Sequence, residues 1–337
     1  MGRNDNRIMV SVSKHGEMIS KLLLLGLLLM LSSQISFADE KKKNVRMYKF
    51  RVDRPVKSEI IYQFTDETDI TRIFSDSTSF EYKRKIDYFF SQKVFGDPNK
   101  GLLNVTYTID SIRYFFNDGP QTIRLNTASD FNNASDFEDF TVVTPSLGRS
   151  FDLIYSDYGD VAKVESEDFD WLRDYINDPK NSKAIQGMRK YLWLNGIGDS
   201  RLRHIVDIPK IMMMKEKKAL DSTWESPMYF ETNHLEFFAK PKVRVAEYRN
   251  GKFVMDAVFD TLVANKKDYY FYNTKNLCSL QDAKGKGSSI IYFDKRGLLD
   301  RMEMDVVAEI KAKQGKEVFT EKIQSNLTWQ AIKKVGM

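Results

Sequence analysis

Beyond position 38, His204 in "SRLRHIVDIP", His234 in "YFETNHLEFF" and the single cysteine, Cys278, have the strongest claim on catalytic or metal chemistry. A zinc site needs three or four ligands, and neither histidine has another His or Cys beside it at ligand spacing. Each is expected to be structural or at the surface. The residue types of a Ser-His-Asp triad are present, but there is no Gly-x-Ser-x-Gly elbow. "GDSRLRH" and "GKGSS" lack the Gly-x-x-x-x-Gly-Lys-Ser/Thr spacing of a phosphate loop. Glu165, Glu167, Asp168 and Asp170 could supply the carboxylate pair of a glycosidase. Ahead of a predicted helix, though, capping and the helix dipole account for them. No catalytic residue, metal site or cofactor is assigned, and the chain is expected not to be an enzyme.

Weaker signals have plain explanations. Asp157, Tyr158, Gly159 and Asp160 make a hairpin turn more readily than a calcium loop. The run Met212-Met213-Met214 is polarizable and adaptable, and suits a core as well as an apolar partner. The sequons at Asn104, Asn133 and Asn326 are short enough to arise by chance. Aromatic residues number 23 Phe, 16 Tyr and 4 Trp, several in adjacent groups such as Tyr88-Phe89-Phe90 and Tyr269-Tyr270-Phe271-Tyr272. They fit strand packing, or stacking on a sugar or a lipid.

The first 38 residues form an expected signal peptide. Scattered Arg3, Arg7, Lys14 and Lys21 precede the apolar run Leu22 to Leu31, and small Ser36 and Ala38 stand at a cleavage-site spacing. The apolar run is too short for a membrane span and no second one follows, so no transmembrane anchor is expected after cleavage. Asp39 stands where a lipid-anchored protein needs Cys. The protein is expected to be exported, to the periplasm or beyond. Formal net charge is +5; the leader takes four Lys/Arg and two Asp/Glu with it, leaving about +3, a balance that predicts no nucleic-acid partner. One cysteine permits no internal disulfide, so stability must come from burial.

The elements that would position any site are mainly strands. From Leu298 to Ala312 the even positions are apolar except Asp300, while the odd ones carry Arg301, Glu303, Asp305, Glu309 and Lys311. This is the period of a half-buried strand. Gln314-Gly315-Lys316 turns the chain into a second strand, with Phe319, Ile323, Leu327 and Trp329 on one face. The N-terminal part repeats the style, with Phe80, Tyr82, Ile86, Tyr88 and Phe90 on one face and Leu103, Val105, Tyr107 and Ile109 on the partner. Further strands are expected near 58–74, 149–155, 161–165, 243–248, 253–264 and 268–273. Between lies helical texture: an acidic start after Glu165, a stop at Asp178-Pro179, a cap at Asn181 or Ser182, and the stripe Ile185, Met188, Leu192 ended by Gly196. The expected fold is mainly β (α+β), with long, coiled antiparallel strands. The expected order is leader 1–38, a strand-rich half 39–165, a helical insert or lid 166–220, and a second strand-rich half 221–337.

Sixteen-residue strands span about 50 Å, and a sheet of them must twist and coil. Met302, Met304, Val306, Phe319 and Ile323 then face its inside. That inside is either a dry core or, in part, an apolar groove for a lipid or other apolar ligand; these five are the candidate ligand-binding residues.

"IYSDYGDVAKVE", "IPKIMMMKEKKALDSTWES" and "GKGSSIIYFDKRGLLDRMEM" together resemble turn-and-strand segments of a group of uncharacterised secreted bacterial β-rich proteins, mostly of Bacteroidota type, that carry a domain of unknown function. The second segment departs from that pattern at Leu220 to Trp224, which lacks a Gly and has one extra residue. The resemblance implies export and long antiparallel strands and transfers no catalytic residue. A looser likeness, of fold only, is to the half-barrel of periplasmic lipoprotein carriers. The expected function is binding or carriage of an apolar or amphipathic molecule, or docking on an envelope protein. The alternative is a structural or assembly component of the cell envelope with a dry core, and a hydrolase is the third reading.

Overall fold

Alternation of apolar and polar residues over unusually long stretches dictates the architecture. In the computed structural model, residues 47–48, 57–95, 102–129, 137–156, 161–181, 187–206, 216–265, 267–294 and 296–336 are described. The expected leader, the turn at Asp157 to Asp160, Asn133, Ser182, Ile185 and the methionine run at 212–214 lie outside them. The strands are β1 (Met47–Tyr48), β2 (Glu59–Phe74), β3 (Ser79–Phe95), β4 (Leu102–Asn117), β5 (Thr122–Asn126), β6 (Ser150–Ser156), β7 (Val161–Glu165), β8 (Lys218–Ala219) and β9 (Thr223–Glu225). They continue with β10 (Met228–Thr232), β11 (Leu235–Ala239), β12 (Lys242–Arg249), β13 (Lys252–Phe259), β14 (Leu262–Ala264), β15 (Asp268–Tyr269), β16 (Cys278–Asp294), β17 (Leu299–Gln314) and β18 (Glu317–Val335). The helices are α1 (Glu138–Thr141), α2 (Glu167–Asn177), α3 (Gly187–Gly196) and α4 (Asp199–Val206), with a 3-10 turn at Thr144–Ser146.

The fold is mainly β. One antiparallel sheet of 13 strands runs β7-β6-β4-β3-β2-β18-β17-β16-β13-β12-β9, with β5 beside β4 and β15 beside β16. Pairing of β2 with β18, from Phe74 opposite Phe319 to Glu59 opposite Val335, joins the early strands to the late ones. On one face lie the buried Tyr62 and Phe64 of β2, Tyr88 and Phe90 of β3, Met302 to Ala312 of β17 at even positions, and Phe319, Ile323 and Leu327 of β18. The other face carries cross-strand ion pairs, Lys83–Asp69 at 3.0 Å, Lys85–Glu67 at 3.1 Å and Lys284–Glu309 at 2.8 Å, which suit a wet sheet surface.

Turns follow their sequence. Gly315, at φ +60°, occupies the two-residue loop where Gln314 faces Glu317, and Gly297, at φ +74°, sits in the β16–β17 turn, where Asp294 Oδ1 accepts from the amides of Arg296 and Leu298. The Gly-x-Gly of β16 has a packing reason. A Cβ on Gly287 would come within 2.3 Å of the Phe259 ring, and one on Gly285 within 2.7 Å of Leu262. The β13–β14 corner therefore crosses β16 only over bare backbone.

Two segments depart from their expected course. The strand expected over 253–264 breaks after Phe259, and β14 joins a second sheet, β10-β11-β14, that the alternation did not announce. The strand expected over 268–273 ends at Tyr269; Tyr269, Tyr270 and Phe271 are all buried, which two-fold alternation forbids, because the chain turns there and Thr274 bonds back to Phe271. No helix among the described residues is long and apolar enough to cross a membrane.

Candidate functional site

The inner sheet face is covered by the β10-β11-β14 sheet, by α4, whose Ile205 carbonyl accepts from the Trp329 indole at 2.9 Å, and by the ring of Phe271, edge-on to Phe319. At the centre of this cover the β10–β11 hairpin points its tip inward. Asn233 and His234 have φ +50° and +60°, the backbone of a tight two-residue hairpin loop. A hairpin tip normally keeps to water, yet Thr232, Asn233 and His234 are all buried. Their polar groups must be met by protein, and the strands supply a seat for them.

Thr232 Oγ1 lies 3.1 Å from Asp66 Oδ1 and 2.8 Å from Ser325 Oγ. Asn233 Nδ2 donates to Glu321 Oε2 at 3.1 Å, while Arg72, directly across from Glu321 in the sheet, donates to Glu321 Oε1 through Nε at 2.9 Å and Nη2 at 2.7 Å. His234 Nε2 is 2.9 Å from Asp139 Oδ1, and Tyr114 donates to the other Asp139 oxygen. Arg201 of α4 bonds Glu231, donates to Tyr88 Oη at 2.9 Å and lies 3.4 Å from His234 Nδ1. Arg84 sits between Asp139, at 3.5 Å, and Asp66, at 3.8 Å. Since the Arg201 guanidinium can only donate, His234 Nδ1 is the acceptor and Nε2 carries the proton it gives to Asp139.

Burial, helped by Arg84, pushes the His234 imidazole down to about 4, so the ring is neutral at neutral pH. Burial alone would raise the Asp139 carboxyl; His234, Arg84 and Tyr114 outweigh it and hold the group below the usual carboxylate range. At Glu231 and Glu321 burial wins over the neighbouring guanidiniums, and both are held above their ordinary value. Both ring nitrogens of His234 are engaged by protein groups, so what this constellation does is hold the hairpin tip in place. Among the described residues no group of three His, Cys, Asp or Glu is placed to hold a metal ion.

Met302, Met304, Val306, Phe319 and Ile323 all lie on the inner face and are 0–2% exposed. Their side chains belong to one packed cluster with the hairpin and helices. Glu167, Asp168 and Asp170 form the first turn of α2, whose cap is Ser166, accepting from the Phe169 amide at 3.3 Å; Asp170 also pairs with Arg173 at 2.8 Å. Glu165 pairs with Lys163, and the four carboxylates are not gathered into a site. His204 lies on α4, its ring pushed down to about 4 by burial.

One open site among the described residues is at the helices. In α2 the residues Phe169, Leu172 and Ile176 are buried, and the opposite side carries Trp171 and Tyr175 one turn apart. Their rings stack with centroids 5.4 Å and planes 20° apart, and they remain 60% and 41% exposed. In α3, Arg189 and Trp193 are likewise one turn apart. Helix α3 lies against the segment ahead of β6 because Gly196 has no side chain; a Cβ there would fall 2.0 Å from the Val142 carbonyl oxygen. Between these pieces opens a cleft of about 400 Å³ lined by Thr144, Pro145, Arg149, Trp171, Leu172, Tyr175, Arg189 and Trp193. Arg149 donates to the Pro145 carbonyl at 2.8 Å and makes no ion pair among the described residues. Aromatic faces beside guanidiniums can take a flat or apolar body with an anionic group.

The acidic start after Glu165 marks α2 but not its outer side, whose signals are the pairs Trp171/Tyr175 and Arg189/Trp193 at i,i+4. The signals of the seat are Arg84, Glu321 and Ser325, polar residues at inner-face positions of otherwise apolar strands.

No family model and no curated protein matches this chain. Among solved structures, one of lipovitellin described for its lipid–protein interactions is similar at 9% identity and a TM-score of 0.45, covering 84% of this chain. This chain spans 26% of that one's length. OpdQ of Pseudomonas aeruginosa is similar at 8% identity and a TM-score of 0.22, over 82% of this chain and 99% of that one. The translocator domain of the autotransporter NalP from Neisseria meningitidis is similar at 7% identity and a TM-score of 0.19, over 92% of this chain and 97% of that one.

Proposed function

We propose that this chain is an exported, non-enzymatic binding protein that takes an amphipathic ligand in the cleft between α2 and α3. The observation that carries the proposal is the composition of that cleft: two tryptophans and a tyrosine beside Arg149, whose guanidinium meets a carbonyl and, among the described residues, no carboxylate. Exposed rings gathered beside a guanidinium are the residue types that bind a ligand with an apolar face and an anionic group. Export is supported by the charged start, apolar run and small-residue site of the first 38 residues.

A structural or assembly role in the cell envelope is the second reading. It is supported by the burial of the five candidate residues, which are 0–2% exposed on the inner face. The test is native mass spectrometry of the purified protein for a co-purifying small molecule, with titration of tryptophan fluorescence by a panel of amphiphiles. A ligand that co-purifies with the wild type and is absent from Trp171→Ala by mass spectrometry supports the cleft. No ligand, and a signal indifferent to Trp171, would favour assembly.

A further inference from the structure

We infer that the cleft takes an acidic saccharide: a sugar ring lying on Trp171 and Tyr175, with its carboxylate, sulfate or phosphate held by Arg149. This rests on the cleft being the binding site, and narrows the ligand by three observations. The first is charge. Among the described residues lining the cleft none is acidic, while Arg149 and Arg189 both line it. Elsewhere Arg72, Arg173 and Arg201 each bond a carboxylate; Arg149 spends one nitrogen on the Pro145 carbonyl and keeps its other donors for a planar oxyanion.

The second observation is the exposure of the rings. An acyl chain gains by leaving water, about 0.8 kcal/mol per buried CH₂, and a cleft whose Trp171 ring is 60% exposed leaves one side of the chain wet. A sugar ring loses nothing there. Its C–H face, with partial positive charge, lies on the electron-rich face of an aromatic ring, and its hydroxyl rim stays hydrated. The third is shape. Stacking at 5.4 Å and 20° turns one face of each ring toward the other and leaves a sugar the outer face of the Trp171–Tyr175 pair, and about 400 Å³ is at the small end of the roughly 300–1,000 Å³ of ligand clefts. That is room for one or two rings and not for a long lipid.

The experiment presents the purified exported protein with an array of carboxylated, sulfated and phosphorylated saccharides, each beside its neutral parent, and with decanoate as the acyl probe. Hits are measured by tryptophan fluorescence titration. The expected result is binding of an acidic saccharide, with the neutral parent at least about tenfold weaker, the loss of one charge-assisted contact. Arg149→Met should remove the same factor, and Trp171→Ala should abolish binding, both with unchanged unfolding transitions. Equal binding of the neutral parent overturns the inference. So does decanoate bound through Arg149 and Trp171 with no saccharide bound, which leaves the cleft standing as a ligand site. Binding of nothing on the array, with decanoate also inert, overturns the saccharide and the cleft together.

Discussion

The hairpin seat and the α2–α3 cleft both use arginine beside aromatic rings, and they use it to opposite ends. In the seat Arg72, Arg84 and Arg201 face Asp66, Asp139, Glu231 and Glu321, all of them buried or nearly so, and the guanidiniums help to hold a turn that the apolar core alone could not accept. In the cleft Arg149 faces a carbonyl, and Trp171 and Tyr175 face solvent. Buried charge that is answered from within is architecture; charge left open beside exposed rings is available to something else.

The contrast is sharpest where a carboxylate has no guanidinium to meet. Val306 lies on the same inner face as Glu321, fully buried, and faces Ser325 and Gly287 across the sheet where Glu321 faces Arg72, so Val306→Glu should destabilise by about 4–5 kcal/mol in urea unfolding. Within the seat, Arg72→Met should cost about 3–5 kcal/mol by leaving Glu321 buried and alone, and the double variant Arg72→Met/Glu321→Leu should regain most of it. A single variant that unfolds at the wild-type midpoint would mean the seat does not hold the hairpin.

Acid should loosen the seat and spare the cleft. His234 is depressed from an ordinary 6.5 to about 4, so the folded state binds its proton less readily than the unfolded chain. Its contribution is complete above pH 6.5 and is lost as pH falls towards 4, at most about 3 kcal/mol. His204, also at about 4, acts in the same direction. Glu231 and Glu321, held above their ordinary value, take up protons first in the folded state and offset part of the loss. Unfolding free energies measured from pH 7 to 4.5 should fall, and His234→Asn should flatten the slope. In the cleft Arg149→Met and Trp171→Ala should change stability by under about 1 kcal/mol, whatever they do to binding. Smallest of all, Glu309→Val on the outer face should cost under about 0.5 kcal/mol, since its pair with Lys284 is exposed.

Long strands, their hairpins and their inner faces were legible because each depends on neighbours in the chain. Met302, Met304 and Val306 declare a face by parity, and Gly315 declares a turn by the φ it permits. The second sheet was not legible: "MYFETNHLEFF" is too short and too aromatic to show alternation, and its loop carries no glycine. Nor was the seat, although Arg84, Glu321 and Ser325 broke the apolar faces of β3 and β18 at inner positions. Parity could mark them as misplaced. It could not say what they meet.

Local chemistry therefore determined which residues extend, which turn and which side of each strand goes inward, because two-fold alternation and glycine's freedom act within a few residues. The partners were decided only when the long strands paired. Thr68 meets Ser325 across 257 positions and Arg72 meets Glu321 across 249, contacts that exist because β2 pairs with β18 and because a hairpin drops between them. The same holds for the cleft: α2 brought its own stacked rings, but Trp193 stands beside them because Gly196 lets α3 rest on the Val142 carbonyl, and Arg149 comes from the segment ahead of β6.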